Sequence, residues 1–274
     1  MPENDLIARL SGAERRRLLA GATSVELVLK DVLCEVGDVT RYVYFPTDGY
    51  ISLVTRIDGD PGLEVGMVGR EGLLGAQLVL GVSAAPLHAL VQGPGAAWRI
   101  GAAPFRHALE RSKTLDGILR RYVAVLMGQL ATSAACTRFH KVGPRLARWL
   151  LMSQDRAHSP TFHLTQEFLA YMLGVRRVGV TAAAGDLQHA DLIRYHRGLI
   201  TVLNRRGLEG AACACYAADR RMYAQLLAWG SPADSTEQRR SASRQTMRPS
   251  LAARPGMFKK PRRLLVGIPE TTGS

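Results

Sequence analysis

The feature that most limits how this chain can fold is a change of hydrophobic period near Ser112. From Val25 to about Ile100 the apolar residues come in short β-prone runs: Val39 to Phe45, Tyr50 to Ile57, Leu63 to Val68, Leu87 to Gln92 and Ala96 to Ile100. Between them stand Pro46-Thr47-Asp48-Gly49, Asp58-Gly59-Asp60-Pro61-Gly62 and Gly93-Pro94-Gly95. These segments are rich in residues that fix φ or accept a positive one, and they predict three turns. Several short strands at this spacing predict an all-β roll or barrel. From Ser112 to Phe139 the period becomes helical. Leu115, Ile118, Tyr122, Val125, Gln129, Thr132 and Cys136 follow steps of three and four, and Leu119, Val123, Leu126 and Leu130 make a neighbouring stripe. A helix apolar over so wide an arc needs two partners, its own roll and a second copy of the chain, with polar Gln129 and Thr132 fixing the register of the pair. A single helix buried in the monomer is the alternative.

The rest of the chain reads as helices around this framework. Residues 1–24 predict a short helical lead-in, with Leu6, Ile7, Leu10, Leu18 and Leu19 on apolar faces and Ser11 as N-cap of a second helix. Residues 142–155 predict another helix, opened by Gly143-Pro144 and carrying Leu146, Trp149, Leu150 and Met152 inward. After Ser231 periodicity is lost, and 231–274 predicts a disordered basic tail. The expected division is therefore α+β: a roll over 1–111, a dimerisation helix over 112–139, a helical domain over 140–230 and the tail.

The formal charge of +13 is unevenly placed. Residues 1–139 hold 15 Lys and Arg against 14 Asp and Glu, residues 140–230 hold 12 against 6, and residues 231–274 hold 9 against 3. A basic second half suggests a polyanionic partner, nucleic acid or membrane surface. No apolar run is long enough to span a bilayer, residues 1–10 lack a leader pattern, and the 4 scattered cysteines form no disulfide framework, so a cytoplasmic setting is expected.

Thr165 to Ala190 is the most informative segment. Thr165 is a good N-cap for a short helix whose Leu169, Met172 and Leu173 face inward, and Gly174 ends it where a left-handed conformation is needed. Val175 is the turn residue, and small Ala170 and Gly174 would let two helices cross closely. A second helix from about Arg176 to His189 turns Val180, Ala183, Ala184 and Leu187 inward. Leu192 to Tyr195 and Leu199 to Val202 flank His196-Arg197-Gly198, a hairpin that reads as a wing. This is the order of a winged helix-turn-helix, whose second helix enters the DNA major groove. Arg177, Val178 and Thr181 are placed to face bases, and Thr165, Gln166, Arg176 and Arg197 to contact phosphates. A winged helix can also serve as a protein-contact module, so a ligand-sensing or scaffold protein is the rival.

Roll, long helix and winged helix in this order resemble the Crp/Fnr family of bacterial transcription regulators over roughly residues 18–225. The resemblance is carried by Tyr44-Phe45-Pro46 through Gly49-Tyr50-Ile51-Ser52-Leu53-Val54, by Glu64 through Gly75, and by Leu164-Thr165-Gln166-Glu167 to Gly174 with Arg177 and Val180. It implies a cyclic-nucleotide-binding-like roll, a homodimer on a near-palindromic operator in double-stranded DNA, and RNA polymerase as a further candidate partner. The departures shape the expected mechanism. Cyclic-nucleotide-binding members hold the phosphate with arginine, whereas Ala84-Ala85-Pro86-Leu87-His88-Ala89-Leu90 offers none, so control by cyclic AMP is not expected. His88 could stand in for that cation, but a strand histidine is more often structural. Only Cys34 lies near the N-terminus, against the cysteine cluster of the iron-sulfur members. In the reading helix the family's glutamate and later arginine are replaced by Val178 and Ala182, which implies a changed operator that keeps guanine opposite Arg177.

No cofactor is identified from the sequence and the effector stays open. Cys213 and Cys215 are a close pair, yet residues two apart diverge around a helix, so apolar packing is the default over a zinc or redox role. The 7 histidines show no ligand-like spacing with carboxylates, and no nucleophile triad or phosphate loop stands out, so an enzyme is not expected.

Overall fold

The computed structural model describes residues 3–56 and 62–228, and the basic tail expected over 231–274 lies outside them. The chain starts with helices α1 (Asp5–Ala8) and α2 (Gly12–Leu19). Asn4 caps α1 through Oδ1, which accepts from the Leu6 and Ile7 amides, while its Nδ2 donates to the Pro46 and Gly72 carbonyls. That one side chain therefore pins the N-terminus to the sheet. Ser11 caps α2 in a full capping box with Glu14. Glu14 also accepts a hydrogen bond from Ser112, and these hydroxyl partners hold its carboxyl down at about 2.

The roll is an antiparallel sheet of five strands, β1 (Ala22–Leu27), β2 (Val32–Cys34), β3 (Tyr42–Thr55), β4 (Leu63–Val68) and β5 (His88–Gly101). Its order is β1-β5-β3-β4, with β2 also on β5. Two of the expected turns are not turns. Pro46 to Gly49 lies inside the 14-residue β3, and Gly93-Pro94-Gly95 lies inside the 14-residue β5. The two segments face each other, and the register shifts between Pro46 and Asp48 and again on either side of Tyr50. They are bulges that bend two long strands together. The glycines permit the approach: a Cβ on Gly49, at φ +71°, would sit 2.4 Å from the Gly93 carbonyl oxygen, and one on Gly95 would sit 2.4 Å from that of Asp48. Turn-forming composition was real, but it served backbone proximity. The third glycine-rich stretch, Asp58 to Gly62, lies almost wholly outside the described residues; the strands that flank it are antiparallel, with Thr55 paired to Leu63.

A helix that the sequence reading missed, α3 (Ala102–Arg111), follows β5 directly and buries Phe105 against Phe45. The long helix α4 (Lys113–Phe139) starts at Ser112, whose hydroxyl accepts from the Leu115 amide. Its first stripe is buried within the chain: Leu115, Ile118, Tyr122, Val125, Gln129 and Cys136. Gln129 was expected in a seam between copies. Instead its Oε1 accepts from the Met67 amide of β4, so its polarity serves the roll. The second stripe differs beyond Leu119, which is fully buried. Val123, Leu126 and Leu130 are half-buried, and Met127 beside them is 65% exposed.

The helical domain comprises α5 (Val142–Ala157), β6 (Thr161–His163), α6 (Gln166–Leu173), α7 (Arg177–His189), β7 (Ile193–His196), β8 (Leu199–Val202), α8 (Arg205–Ala211) and α9 (Ala214–Ala228). The α9 helix returns along α4, close enough that a Cβ on Gly128 would meet Met222. Cys213 and Cys215 do not diverge as expected. Cys213 precedes the first residue of α9, so the helical angle between them does not apply, and both join Cys136 in one buried cluster. No helix among the described residues is long and apolar enough to cross a membrane.

Roll and helical domain share a core in which Tyr50, Val54 and Met67 pack with Leu146, Trp149 and Leu150. Glu64 of β4 sits in this contact. It accepts from Ser52 and, at 2.9 Å, from the Trp149 indole, and burial pushes its carboxyl up to about 7.

Candidate nucleic-acid interface

The helices that shape this surface form for local reasons. Thr165 Oγ1 accepts from the Phe168 amide at 3.1 Å, which starts α6. Gly174, at φ +60°, ends it and lets the Val175 amide reach the Ala170 carbonyl at 3.0 Å. The left-handed reason for Gly174 holds, and its smallness has a further use, because a Cβ there would meet Leu63 of β4 at 2.8 Å. Its smallness lets α6 dock on the roll. The second helix begins one residue later than expected, with Arg176 as the N-cap residue. Val180, Ala183, Ala184 and Leu187 are buried as the pattern required. Arg177, Val178 and Thr181 are thereby left on the outer face, and Val178 is 72% exposed.

The wing is a three-stranded sheet in the order β6-β8-β7. Arg197 and Gly198 both have positive φ, 49° and 79°, as a two-residue hairpin of type I′ demands. This carries the Arg197 side chain to an exposed tip. The sequence reading missed β6, although Thr161-Phe162-His163 has the right alternation, with Phe162 buried.

Between α6, α7 and the wing lies an open groove of about 560 Å³. Five of the seven expected contact residues line it: Thr165, Gln166, Arg177, Thr181 and Arg197. Arg176 and Val178 are exposed but lie outside it. His163, Gln188 and Tyr195 line it too and were not foreseen. Tyr195 donates through its hydroxyl to the Leu164 carbonyl at 2.7 Å, and its amide donates to Gln188 Oε1. These bonds fix the wing against α7. Burial raises the Tyr195 phenol above its ordinary value, with nearby Arg177 opposing the shift. Thr181 donates to Gln166 Oε1 at 2.7 Å, joining the two helices across the groove. No carboxylate lines the groove, and Arg176, Arg177 and Arg197 form no ion pair with any described residue. Such a surface is uncompensated positive charge set beside a protruding helix.

Residues 144–211 match the family described as the Crp-like helix-turn-helix domain. The chain carries a Crp-like helix-turn-helix, the reading domain of a DNA-binding transcription regulator.

Solved structures share the fold over about 70% of the chain. FixK2 from Bradyrhizobium japonicum superposes with a TM-score of 0.60 at 15% identity, over 70% of this regulator and 98% of that chain. The c-di-GMP-responsive global regulator CLP of Xanthomonas campestris gives 0.57 at 15% identity, over 70% and 99%. A CRP/FNR-family transcriptional regulator of Thermus thermophilus gives 0.56 at 20% identity, over 69% and 98%. No curated protein sequence matches the regulator.

Two features of the regulator's roll bear on ligands. A cavity of about 610 Å³ lies between the roll and the half-exposed stripe of α4, lined mainly by apolar groups such as Leu53, Leu74, Leu87 and Leu126. Asp38, Thr40, Arg41 and Gln77 are among its polar members. His88 is not among its lining residues. It is buried, and its Nδ1 lies 2.8 Å from Glu35 Oε2, which makes it a structural residue of the sheet.

Proposed function

We propose that the regulator acts as a homodimer on a near-palindromic operator, with α7 of each copy in the major groove of one half-site. The observation that supports this most is the groove itself, where Arg177 and Arg197 have no acidic partner among the described residues and stand beside the exposed outer face of α7. Arg177 would bond guanine, and Val178 with the Thr181 methyl would lie against thymine methyls. The Thr181 hydroxyl is already given to Gln166, which leaves the Gln166 amide nitrogen free to donate to phosphate. Thr165 uses its oxygen for the cap and keeps its hydroxyl proton for the same purpose. Arg176 and Arg197 complete the phosphate contacts.

Pairing of two copies would use the part of the second stripe of α4 that the chain itself leaves half-covered, Val123, Leu126 and Leu130, together with exposed Met127 beside it. It would place the two α7 helices about one DNA turn, ~34 Å, apart. Residues 1–111, 112–139 and 140–230 would then act as sensor, dimerisation helix and reader. The roll cavity suits an effector with a mostly apolar body.

Selection of genomic fragments by the full-length chain, followed by shift titrations at two salt concentrations, tests this reading. The expected result is an inverted repeat with half-sites one turn apart and an affinity that falls steeply with salt. Binding with no enriched repeat, and no response to effector candidates, would leave only electrostatic attraction and favour a protein-contact role for the wing.

A further inference from the structure

Four metal-ligating side chains converge at the joint between α4 and the reading domain. Cys136 and His140 are one helical turn apart at the end of α4, where His140 is the C-cap residue, so both point to the same side. Cys213 lies in the link before α9, and Cys215 lies in the first turn of α9. One ligand atom from each, three sulfurs and one imidazole nitrogen, falls within 4.8 Å of all the others. Cys136 Sγ is 3.5 Å from Cys213 Sγ, and Cys215 Sγ is 3.5 Å from His140 Nδ1.

The two 3.5 Å separations are close to the edges of a tetrahedral site, and the 4.8 Å limit keeps the other ligand atoms in reach of one ion. With zinc–sulfur bonds of ~2.3 Å and zinc–nitrogen bonds of ~2.0–2.1 Å, a regular site has sulfur–sulfur edges of roughly 3.8 Å and sulfur–nitrogen edges of roughly 3.6 Å. A disulfide would use two of the cysteines and leave the third thiol and the imidazole without a role. The donor set is soft and closed. Three thiolates and a neutral imidazole suit zinc and fill its coordination, whereas calcium and magnesium require oxygen.

We propose that Cys136, His140, Cys213 and Cys215 form a structural zinc site that clamps the end of α4 to the start of α9. On binding, each thiol loses its proton to solvent, so one zinc ion enters and three protons leave, and the site carries a single negative charge. Arg145 and Arg148 lie close enough to Cys136 and Cys213 to offset it. The clamp has a mechanical consequence. α5 begins at Val142, two residues after His140, and the Cys213 amide donates to the Pro144 carbonyl at 3.3 Å. The metal therefore joins three helices at the pivot on which the reading domain would swing relative to α4. Its effect on DNA rests on the proposed function, whereas the metal site itself does not.

The full-length chain, produced with zinc and purified under reducing conditions, is expected to hold one zinc per chain by elemental analysis. After chelator treatment it should bind one equivalent of cobalt(II), with the visible bands of a tetrahedral site and a thiolate-to-cobalt charge-transfer absorption. Cys213→Ser should abolish stoichiometric binding. His140→Ala alters a half-buried residue at a helix end, so its fold is expected to survive by circular dichroism, and it should weaken cobalt binding by about tenfold or more. Folded protein without stoichiometric metal and with freely reactive thiols would overturn the site. So would a Cys136–Cys213 disulfide in reduced preparations, or metal binding that neither variant disturbs. On a selected operator, metal removal should weaken binding by about tenfold, reversed by zinc. Unchanged operator affinity would overturn the clamp. Failure of loaded protein to select any DNA would count against the proposed function while the metal stoichiometry still supported the site.

Discussion

The arginines of α5 and those of α7 and the wing belong to the same basic half of the chain, yet they do opposite work. On α5, Arg145, Arg148 and Arg156 are buried. Arg156 grips Glu71 of the roll at 2.7 Å, Arg148 grips Asp219 of α9 at 2.6 Å, and Arg145 donates to the Leu173 carbonyl at the end of α6. On α7 and the wing, Arg176, Arg177 and Arg197 are exposed and have no acidic partner among the described residues. The first group holds α5 to the roll, to α9 and to α6, while the second is free for a polyanion. Net charge summed along a sequence therefore overstates what DNA can meet, because part of it is already spent inside the protein.

The comparison breaks most visibly at Asp219. Removing a buried carboxylate leaves Arg148 with Ser133, at 3.3 Å, as its one remaining side-chain hydrogen-bond partner among the described residues. Asp219→Ala should cost about 3–5 kcal/mol in chemical unfolding, as uncompensated buried charge does, and should leave operator sequence preference unchanged in the folded fraction. A loss below about 0.5 kcal/mol, the range of ordinary surface changes, would show that the α5 arginines are not structural.

Arg177→Ala tests the other side. With no side-chain partner among the described residues to lose, unfolding should stay within about 0.5 kcal/mol of the parent. Discrimination at one base pair of each half-site should fall by about 1–3 kcal/mol in a competition titration, with the other positions unaffected. Base preference unchanged at every position would remove Arg177 from the base-reading set.

How much of this was legible in the sequence follows the range of the interactions concerned. The reading unit could be read almost residue by residue, because caps, the Gly174 turn and the α7 stripe are local signals within a few residues of their cause. The roll was legible as a class but not in its strand boundaries. Pro46 to Gly49 and Gly93 to Gly95 look like turns in isolation, and only their pairing across the sheet reveals bulges. The same holds for Gln129, whose partner on Met67 lies 62 residues away, and for the thiol cluster, which unites positions 77 residues apart. The groove shows both cases at once. Thr165 and Arg177 could be assigned from spacing, whereas His163 and Tyr195 enter through the pairing of β6 with β8 and of β7 with β8.

Thr165 is where the two kinds of work meet in one side chain, and it separates them by a smaller margin. Its oxygen supports the fold through the cap, and its proton is available to phosphate. Thr165→Ala removes both, and should cost about 1 kcal/mol of stability together with a loss of DNA affinity. Thr165→Asp keeps a competent cap and replaces the donor with a negative charge, so stability should stay near the parent value while DNA affinity drops further than in the alanine variant. Unfolding curves and shift titrations of the two variants decide the matter. If aspartate bound DNA as well as threonine does, the residue would be a cap alone, and α6 would approach the duplex less closely than α7 and the wing.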